Sequence, residues 1–414
     1  MCAEQARAAL GSAAERSLAA LRILTRSEHT ASADDLPALA TAAGHELGAV
    51  RTVMHIVDLD QVQLVPMTTG GVAGLVMPVE GTLAGRCYTE IADQIGSSAS
   101  ELTLWATLLD GAERLGVLEV VFDRDTVDEI TDELRDAVHD IATLLAQLIT
   151  TRAVHGDSIS RVRRQLPITL PAELQWRMLP PLTFVSGSAS ISGGFLPTDD
   201  IAGDAFDYAL NGDILHVSLI DAMGHGLEAA VLAAVAISAL RNARIRGLEL
   251  AAMVMDADQK LAKHFGPDRF VTGIVGQLDL RTGWWSWTTF GHPPALVVRS
   301  GKVVRTLDQV VVPPLGLALL GGPPEVATER LEPGDSLLLY TDGVIEARNS
   351  EGQFFGVERL VDLVAKKAAD GRSAAETLRR LNLAILAHQE GALQDDATTV
   401  LVEWFAPQPE AFAG

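Results

Sequence analysis

The stretch "LIDAMGHGLEAAVLAAVAISAL", residues 219–240, joins three local patterns in 22 residues. Leu219 and Ile220 end the run "ILHVSLID", which reads as a strand closed by Asp221. Gly224 and Gly226 flank His225 in a permissive loop, the kind a chain uses where the backbone turns sharply or another group approaches closely. The alanine-rich run that follows predicts a helix. A carboxylate at a strand exit, followed by glycines, raises the question of what comes close to Asp221.

The chain has 414 residues, a length that suits two or three domains. It is 48% hydrophobic and 21% charged, which supports packed cores and excludes a disordered chain. With 54 acidic against 32 basic residues the net charge is −22. Such a chain is a poor partner for nucleic acid or an anionic membrane, because phosphate contacts need Lys and Arg. The acidity serves either solubility or the binding of hard cations. Cys2 and Cys87 have neither zinc-site spacing nor a disulfide framework, so a reducing cytoplasm is expected. The N-terminus lacks a basic flank before an apolar core, and no secretory signal is expected. The most apolar run, 226–244, contains Glu228 and two arginines, so a buried helix is expected rather than a membrane span.

Along the chain, residues 17–150 read as an α/β domain. Helical patterns in "SLAALRILTR" and "LPALATAAGHELG" precede strands in "VRTVMHIVDL", "VQLVPMT" and "LTLWATLL". The turn "GAERLG" leads into "VLEVVF". Ile130, Leu134, Ala137, Ile141, Leu144 and Leu148 then form a heptad seam, which can pair with a second copy or pack on its own domain. Residues 151–180 carry Arg161, Arg163 and Arg164. Pro167 and Pro171 break any single helix there, so a helical linker is expected. Residues 181–406 form a third, strand-rich block with two helical regions, and the tail "PQPEAFAG" is expected to be loose.

Four acidic positions in the third block share one context. Asp204 follows a glycine. Asp221 and Asp342 close apolar strand runs, and Asp395 with Asp396 opens "ATTVLVEW". Strand ends let a rigid sheet aim side chains into one cavity. Converging carboxylates repel each other unless a divalent ion neutralises them, and an all-oxygen set suits magnesium or manganese. Strand-end Asp beside Gly is also ordinary turn chemistry, so the spacing alone names no reaction.

The block from about 175 to 404 resembles the PPM-type metal-dependent serine/threonine phosphatases, in their SpoIIE-like, sigma-factor-regulating branch. The resemblance rests on "LQWRMLPP", "GGFLPTDDIAGDAFDY", "LIDAMGHGLEAA", "TFGHPPALVV", "PPLGLA", "LEPGDSLLLYTDGVIEARNSEGQFFG" and "DDATTVLV" in that order. It implies a β-sandwich flanked by helices with two divalent cations, manganese or magnesium, at one end. It also implies that Asp204, Asp221, Asp342 and Asp395 are catalytic metal-ligand carboxylates. Ala222 would add a backbone carbonyl and Asp396 a further metal ligand of lower rank, with Asp207 another nearby acid. The implied reaction is hydrolysis of phosphoserine or phosphothreonine by a metal-bridging hydroxide, without a covalent enzyme intermediate. The implied substrate is a phosphorylated regulatory protein of the anti-sigma-factor-antagonist type. One departure is Ala202-Gly203-Asp204, where the family usually has Gly-Gly-Asp. His225 reads as a general acid or as a loop-bonding residue, and His292 as structural. No conspicuous basic clamp for the substrate is evident.

Residues 17–150 resemble a GAF sensor domain, through the early helix, "GTLAGRCY", the strand pair around "GAERLGVLEVVFD" and the closing helix. That implies a small-molecule ligand, with Cys87 a ligand or redox group or simply a structural cysteine. The expected architecture is therefore a multidomain α+β chain: a GAF-like α/β domain at 17–150, a helical linker at 151–180 and a PPM-type sandwich at 181–406. The linker helices would join two copies into a homodimer and carry control to the phosphatase. The alternative is an inactive signalling module whose phosphatase fold docks a partner. A nucleotide-binding enzyme is a poor third reading, because no lysine-containing phosphate loop follows a strand.

Overall fold

A computed structural model describes residues 13–68, 75–198, 203–266, 268–308, 312–318, 322–391 and 393–405. Cys2, most of the N-terminal segment read for a signal, Ala202 and the tail 407–414 lie outside them. The chain divides into two compact units, Met1–Pro167 and Ile168–Gly414. The stretch 151–180 is split between them.

In the first unit, α1 (Ala13–Ser27) and α2 (Leu36–Glu46) precede β1 (Arg51–Val57), β2 (Gln63–Met67) and β3 (Met77–Pro78). After α3 (Leu83–Glu90) come β4 (Gln94–Ser97), β5 (Glu101–Asp110) and β6 (Glu113–Asp123), then α4 (Asp132–Ala153) and α5 (Ser158–Arg163). The strands form one antiparallel sheet in the order β3-β2-β1-β6-β5-β4. Gly111, at φ +60°, turns β5 into β6, so the hairpin expected at "GAERLG" is present. Residues of α1, α2 and α4 form one apolar cluster with alternate residues of the sheet. Residues of α3 form another with residues of β1, β2, β5 and β6.

Thr131 caps α4, accepting a hydrogen bond from the Leu134 amide at 3.3 Å, and Asp132 and Glu133 fill the first turn. All six seam residues, Ile130, Leu134, Ala137, Ile141, Leu144 and Leu148, belong to the first unit's own core. The seam therefore packs on its own domain, the second of the two readings the spacing allows, with Leu134 and Leu144 only partly buried. Cys87 is buried in the α3 cluster with its Sγ 3.4 Å from the Thr107 hydroxyl. Burial pushes its thiol up to about 12. The structural reading of Cys87 follows, because a redox-active thiol needs thiolate character.

The second unit begins with α6 (Leu170–Met178), β7 (Thr183–Val185), β8 (Ala189–Leu196), β9 (Asp204–Asn211) and β10 (Ile214–Ala222). Then come α7 (Gly226–Ile245), α8 (Leu250–Phe265), β11 (Val271–Asp279), β12 (Trp284–Phe290), β13 (Leu296–Arg299) and β14 (Lys302–Thr306). The chain continues through β15 (Ala327–Arg330), β16 (Ser336–Tyr340), α9 (Asp342–Ile345), α10 (Gly356–Asp370), α11 (Ala374–His388) and β17 (Ala397–Trp404). Two antiparallel sheets result, in the orders β15-β12-β11-β10-β9 and β14-β13-β16-β17-β8-β7.

Period-2 alternation explains their stacking. Leu215, Val217 and Leu219 of β10 share a cluster with Leu337 and Leu339 of β16 and Val400 and Val402 of β17. The intervening Ile220 and Ala222 face a cluster with α7 and α8, while Leu338, Tyr340 and Leu401 face one with α10 and α11. The unit is thus a β-sandwich with a helical layer on each outer face. By length and composition α7 could cross a membrane, but its buried face is part of the cluster over β10 and β11.

Ile141→Ala should destabilise the chain by about 2–5 kcal/mol in urea unfolding, as cavities in tight cores do. The molar mass measured by light scattering should not change. A change in oligomeric state would mean that the α4 seam is an interface between copies.

Candidate active site at the end of the sandwich

Hydrogen-bond register brings the acids together. β9 runs antiparallel to β10, and its first residue, Asp204, lies directly opposite Asp221. In the other sheet β16 pairs with β17, and just beyond that pairing Thr341 and Thr398 exchange bonds: the Thr341 amide donates to the Thr398 carbonyl at 3.0 Å. Asp342 follows Thr341, and Asp395 and Asp396 precede β17. The Thr341 hydroxyl donates to Asp204 Oδ2 at 2.8 Å, which joins the two sheets at this end.

Two carboxylates opposite each other on neighbouring strands are unfavourable in isolation. Their surroundings amplify the effect. Burial, then repulsion from Asp221 and Asp396, pushes the Asp204 carboxyl well above the usual carboxylate range, and the Thr341 hydroxyl pulls part of the way back. Burial, with repulsion from Asp342, Asp395 and Asp396, raises Asp221 to about 7. Burial, with repulsion from Asp396, Asp342 and Glu346, raises Asp395 to about 6. Asp204 is therefore within electrostatic reach of Asp221 and Asp396, and Asp221, Asp342 and Asp395 are within reach of one another. Asp204 is buried, Asp221 is half-buried, and Asp342 and Asp395 are exposed.

Two glycines mark the closeness of the backbone. A Cβ on Gly203 would stand 2.5 Å from the Ala222 carbonyl oxygen and 3.1 Å from Asp221 Oδ1. One on Gly343 would stand 1.9 Å from the Asp396 carbonyl oxygen and 3.4 Å from the Asp395 Cβ. Asp221 and the Ala222 carbonyl thus face the same corner, and that corner admits no side chain between them.

Asp396 differs from Asp395. Its Oδ1 accepts from the Thr198 amide at 2.7 Å and the Thr198 hydroxyl at 3.0 Å. Its Oδ2 accepts from Gln175 Nε2 at 2.7 Å, the Gly203 amide at 3.0 Å and the Asp204 amide at 3.4 Å. Five donors make it the tie between α6, the end of β8, the start of β9 and the start of β17. Asp207 lies apart: Arg241 Nε donates to its Oδ1 at 2.9 Å and Arg244 Nη1 to its Oδ2 at 2.7 Å, fastening β9 to α7. His225 is the exposed N-cap residue of α7 and makes no side-chain capping bond. His292 has its Nδ1 3.5 Å from the Thr272 hydroxyl, and burial lowers its pKa to about 4, so it is neutral at pH 7.

Asp204, Asp221, Asp342, Asp395 and the Ala222 carbonyl make an all-oxygen donor set of the kind hard divalent cations take. Among the described residues, no three His, Cys, Asp or Glu side chains are drawn tightly enough to hold an ion. Like-charged carboxylates stand apart until an opposite charge draws them in. The donor chemistry and the shared corner fit a cation; a closed coordination shell is not preformed.

Sequence reading missed Gln175, Thr341 and Thr198. Gln175 carried a signal: it falls between Ala172 and Met178 at a spacing of three, a polar residue on a buried stripe.

Residues 211–405 match the model of the Stage II sporulation protein E (SpoIIE) family. Asp204 lies just before the matched segment. Protein IcfG of Synechocystis sp. is 24% identical over 300 residues, covering 63% of this chain and 44% of IcfG. The phosphoserine phosphatase RsbU of Bacillus subtilis is 20% identical over 236 residues, 57% of this chain and 69% of RsbU. The crystal structure of the RsbU and RsbW domains of Rv1364c from Mycobacterium tuberculosis shares 30% identity, covering 54% of this chain and 63% of that chain at a TM-score of 0.47. The chain spans less than half of the length of IcfG.

Carboxyls whose pKa values are raised on folding bind protons more tightly folded than unfolded. Their contribution to stability is complete below the ordinary value of 3.8 and is lost as pH rises towards about 7. In chelator, the Tm of the wild-type chain should therefore fall relative to that of Asp221→Asn by a few degrees between about pH 4.5 and 7.5. Parallel Tm-against-pH curves would contradict the crowding of these acids.

Proposed function

We propose that the second unit is a metal-dependent protein serine/threonine phosphatase. The observation that carries this reading is the convergence of Asp204 and Asp221 from one sheet with Asp342 and Asp395 from the other. The match of residues 211–405 to the SpoIIE family supports it. Asp204, Asp221, the Ala222 carbonyl, Asp342 and Asp395 would hold two divalent cations, manganese or magnesium. Bound there, such cations neutralise phosphoryl charge and supply a nucleophilic oxygen at neutral pH. The buried Asp204 anchors the set, Asp396 fixes the backbone around it, and the exposed Asp342 and Asp395 face the solvent from which a phosphoprotein arrives.

Similarity to RsbU, a phosphoserine phosphatase, supports a phosphorylated regulatory protein of the anti-sigma-factor-antagonist type as substrate. The domains on this reading are 17–150, a GAF-like sensor; 151–180, a connecting segment; and 181–406, the phosphatase. A cleft of about 750 Å³ in the first unit, bordered by Arg16, His45, Asp123, Asp128, Glu129 and Glu133, is a place for a small ligand that controls the enzyme. A cytoplasmic location fits the sparse cysteines.

The test is phosphate release from para-nitrophenyl phosphate and from a phosphoserine protein by the full chain, with manganese and then with chelator. Release should require the metal. Asp221→Asn and Asp342→Asn should each lower it by at least about a hundredfold, a loss typical of removing one essential charge-stabilising group. Activity that ignores chelator or survives both substitutions overturns the reading. Manganese binding without phosphate release from either substrate favours the docking module.

A further inference from the structure

Gln175 is completely buried, yet it is neither charged nor part of the acid set. Its Nε2 donates to Asp396 Oδ2 at 2.7 Å and to the Asp204 carbonyl at 3.1 Å, so both amide hydrogens are used. Its Oε1 is buried without a partner. The reverse amide orientation would aim an oxygen at a carboxylate and a carbonyl, so the acceptors fix the donor where it is. A buried amide that leaves one atom unsatisfied is costly. Packing alone does not explain it, because methionine fills similar space with no unsatisfied atom. The chemistry it supplies is the pair of donors.

Those donors come from a telling place. Helix α6 is the first element of the second unit, directly after the division at Pro167. Its other end is also tied down: Arg241 of α7 donates from Nη2 to the Met178 carbonyl at 2.9 Å, while its Nε holds Asp207. Helix α6 is thus fastened at Met178 to α7 and, one turn earlier, to Asp396 and to the backbone of Asp204. Any shift of α6 along its axis moves the donor that holds both.

We propose that Gln175 is a positioning residue through which helix α6 sets the divalent-cation affinity of the acid cluster. This rests on the phosphatase reading above. Gln175 itself touches neither cation nor substrate; it acts through Asp396 and strand β9. Hydrogen-bond partners of this outer kind typically change metal affinity by about 10–100-fold.

The experiment compares full-length wild type, Gln175→Met and Gln175→Glu. Methionine keeps the volume and removes the donors, and glutamate adds an acceptor that opposes Asp396. Manganese affinity, by calorimetry and by the spin-resonance signal of free manganese, should fall in the order wild type, Met, Glu. The Met variant should lose at least about tenfold. Amide exchange at Thr198, Gly203 and Asp204 in chelator should speed up in both variants, while circular dichroism stays unchanged. Activity of the Met variant should recover to within about threefold of wild type at saturating manganese, the pattern of weakened cation binding with the chemistry intact. Should the Met variant not fold, the Glu variant alone must show the affinity loss and the faster exchange. Manganese binding by wild type with equal affinity in either folded variant overturns this proposal and leaves the phosphatase reading standing. Absence of manganese binding by wild type overturns both.

Discussion

Asp204 opposite Asp221 is the constraint around which the second unit is arranged. Two carboxylates on facing positions of neighbouring strands would ordinarily loosen the sheet end. Here the strands on either side are long, the pairing continues from Asp204 to Asn211 against Ile214 to Asp221, and apolar faces above and below hold the register. A one-residue slip would send Leu215, Val217 and Leu219 out of the sandwich, so the acids cannot escape each other by sliding. The cost is met by the core, and the repulsion stays available to attract an opposite charge.

The second sheet contributes in a different manner. Asp342 and Asp395 sit at the solvent margin, whereas Asp396 is drawn inward by five donors from three segments of the chain. Adjacent identical residues thus do unlike jobs because the chain turning into β17 buries Asp396 among its donors and leaves Asp395 exposed. One carboxylate binds the framework together, and its neighbour is left to face the other acids. Gly343 permits this arrangement by letting the Asp396 carbonyl approach where any other residue would place a Cβ.

Much of the sandwich was legible in the sequence. "ATTVLVEW" is β17 in full, and "DSLLLYTDG" and "ILHVSLID" locate β16 and β10 closely, because apolar β-rich runs between turn residues leave few alternatives. β8 and β9 were not read: "ASISGGFL" has two glycines, and "DAFDYALN" mixes acids with aromatics. The α4 seam stayed ambiguous because the same spacing serves a partner helix or a sheet face, and only the tertiary core decides. The four acids were legible by position. Thr341 and Gln175 were not, since neutral polar residues leave no charge pattern. Nor was the tie of Asp207 to Arg241 and Arg244, which joins positions more than thirty residues apart.

That tie has a bearing on the lone flank of the first sheet. β9 stands last in the order β15-β12-β11-β10-β9, so among the described residues one side of its backbone has no neighbouring strand within that sheet. An open strand margin is a template on which a stray extended segment can lengthen the sheet, the first step towards amyloid-like growth. A buried carboxylate in the middle of β9, clasped by two guanidinium groups from α7, fastens that strand to the helical layer. A visiting segment that needed β9 to change its twist would have to break that clasp. The same buried acid that anchors a helix thereby holds the margin strand in one shape.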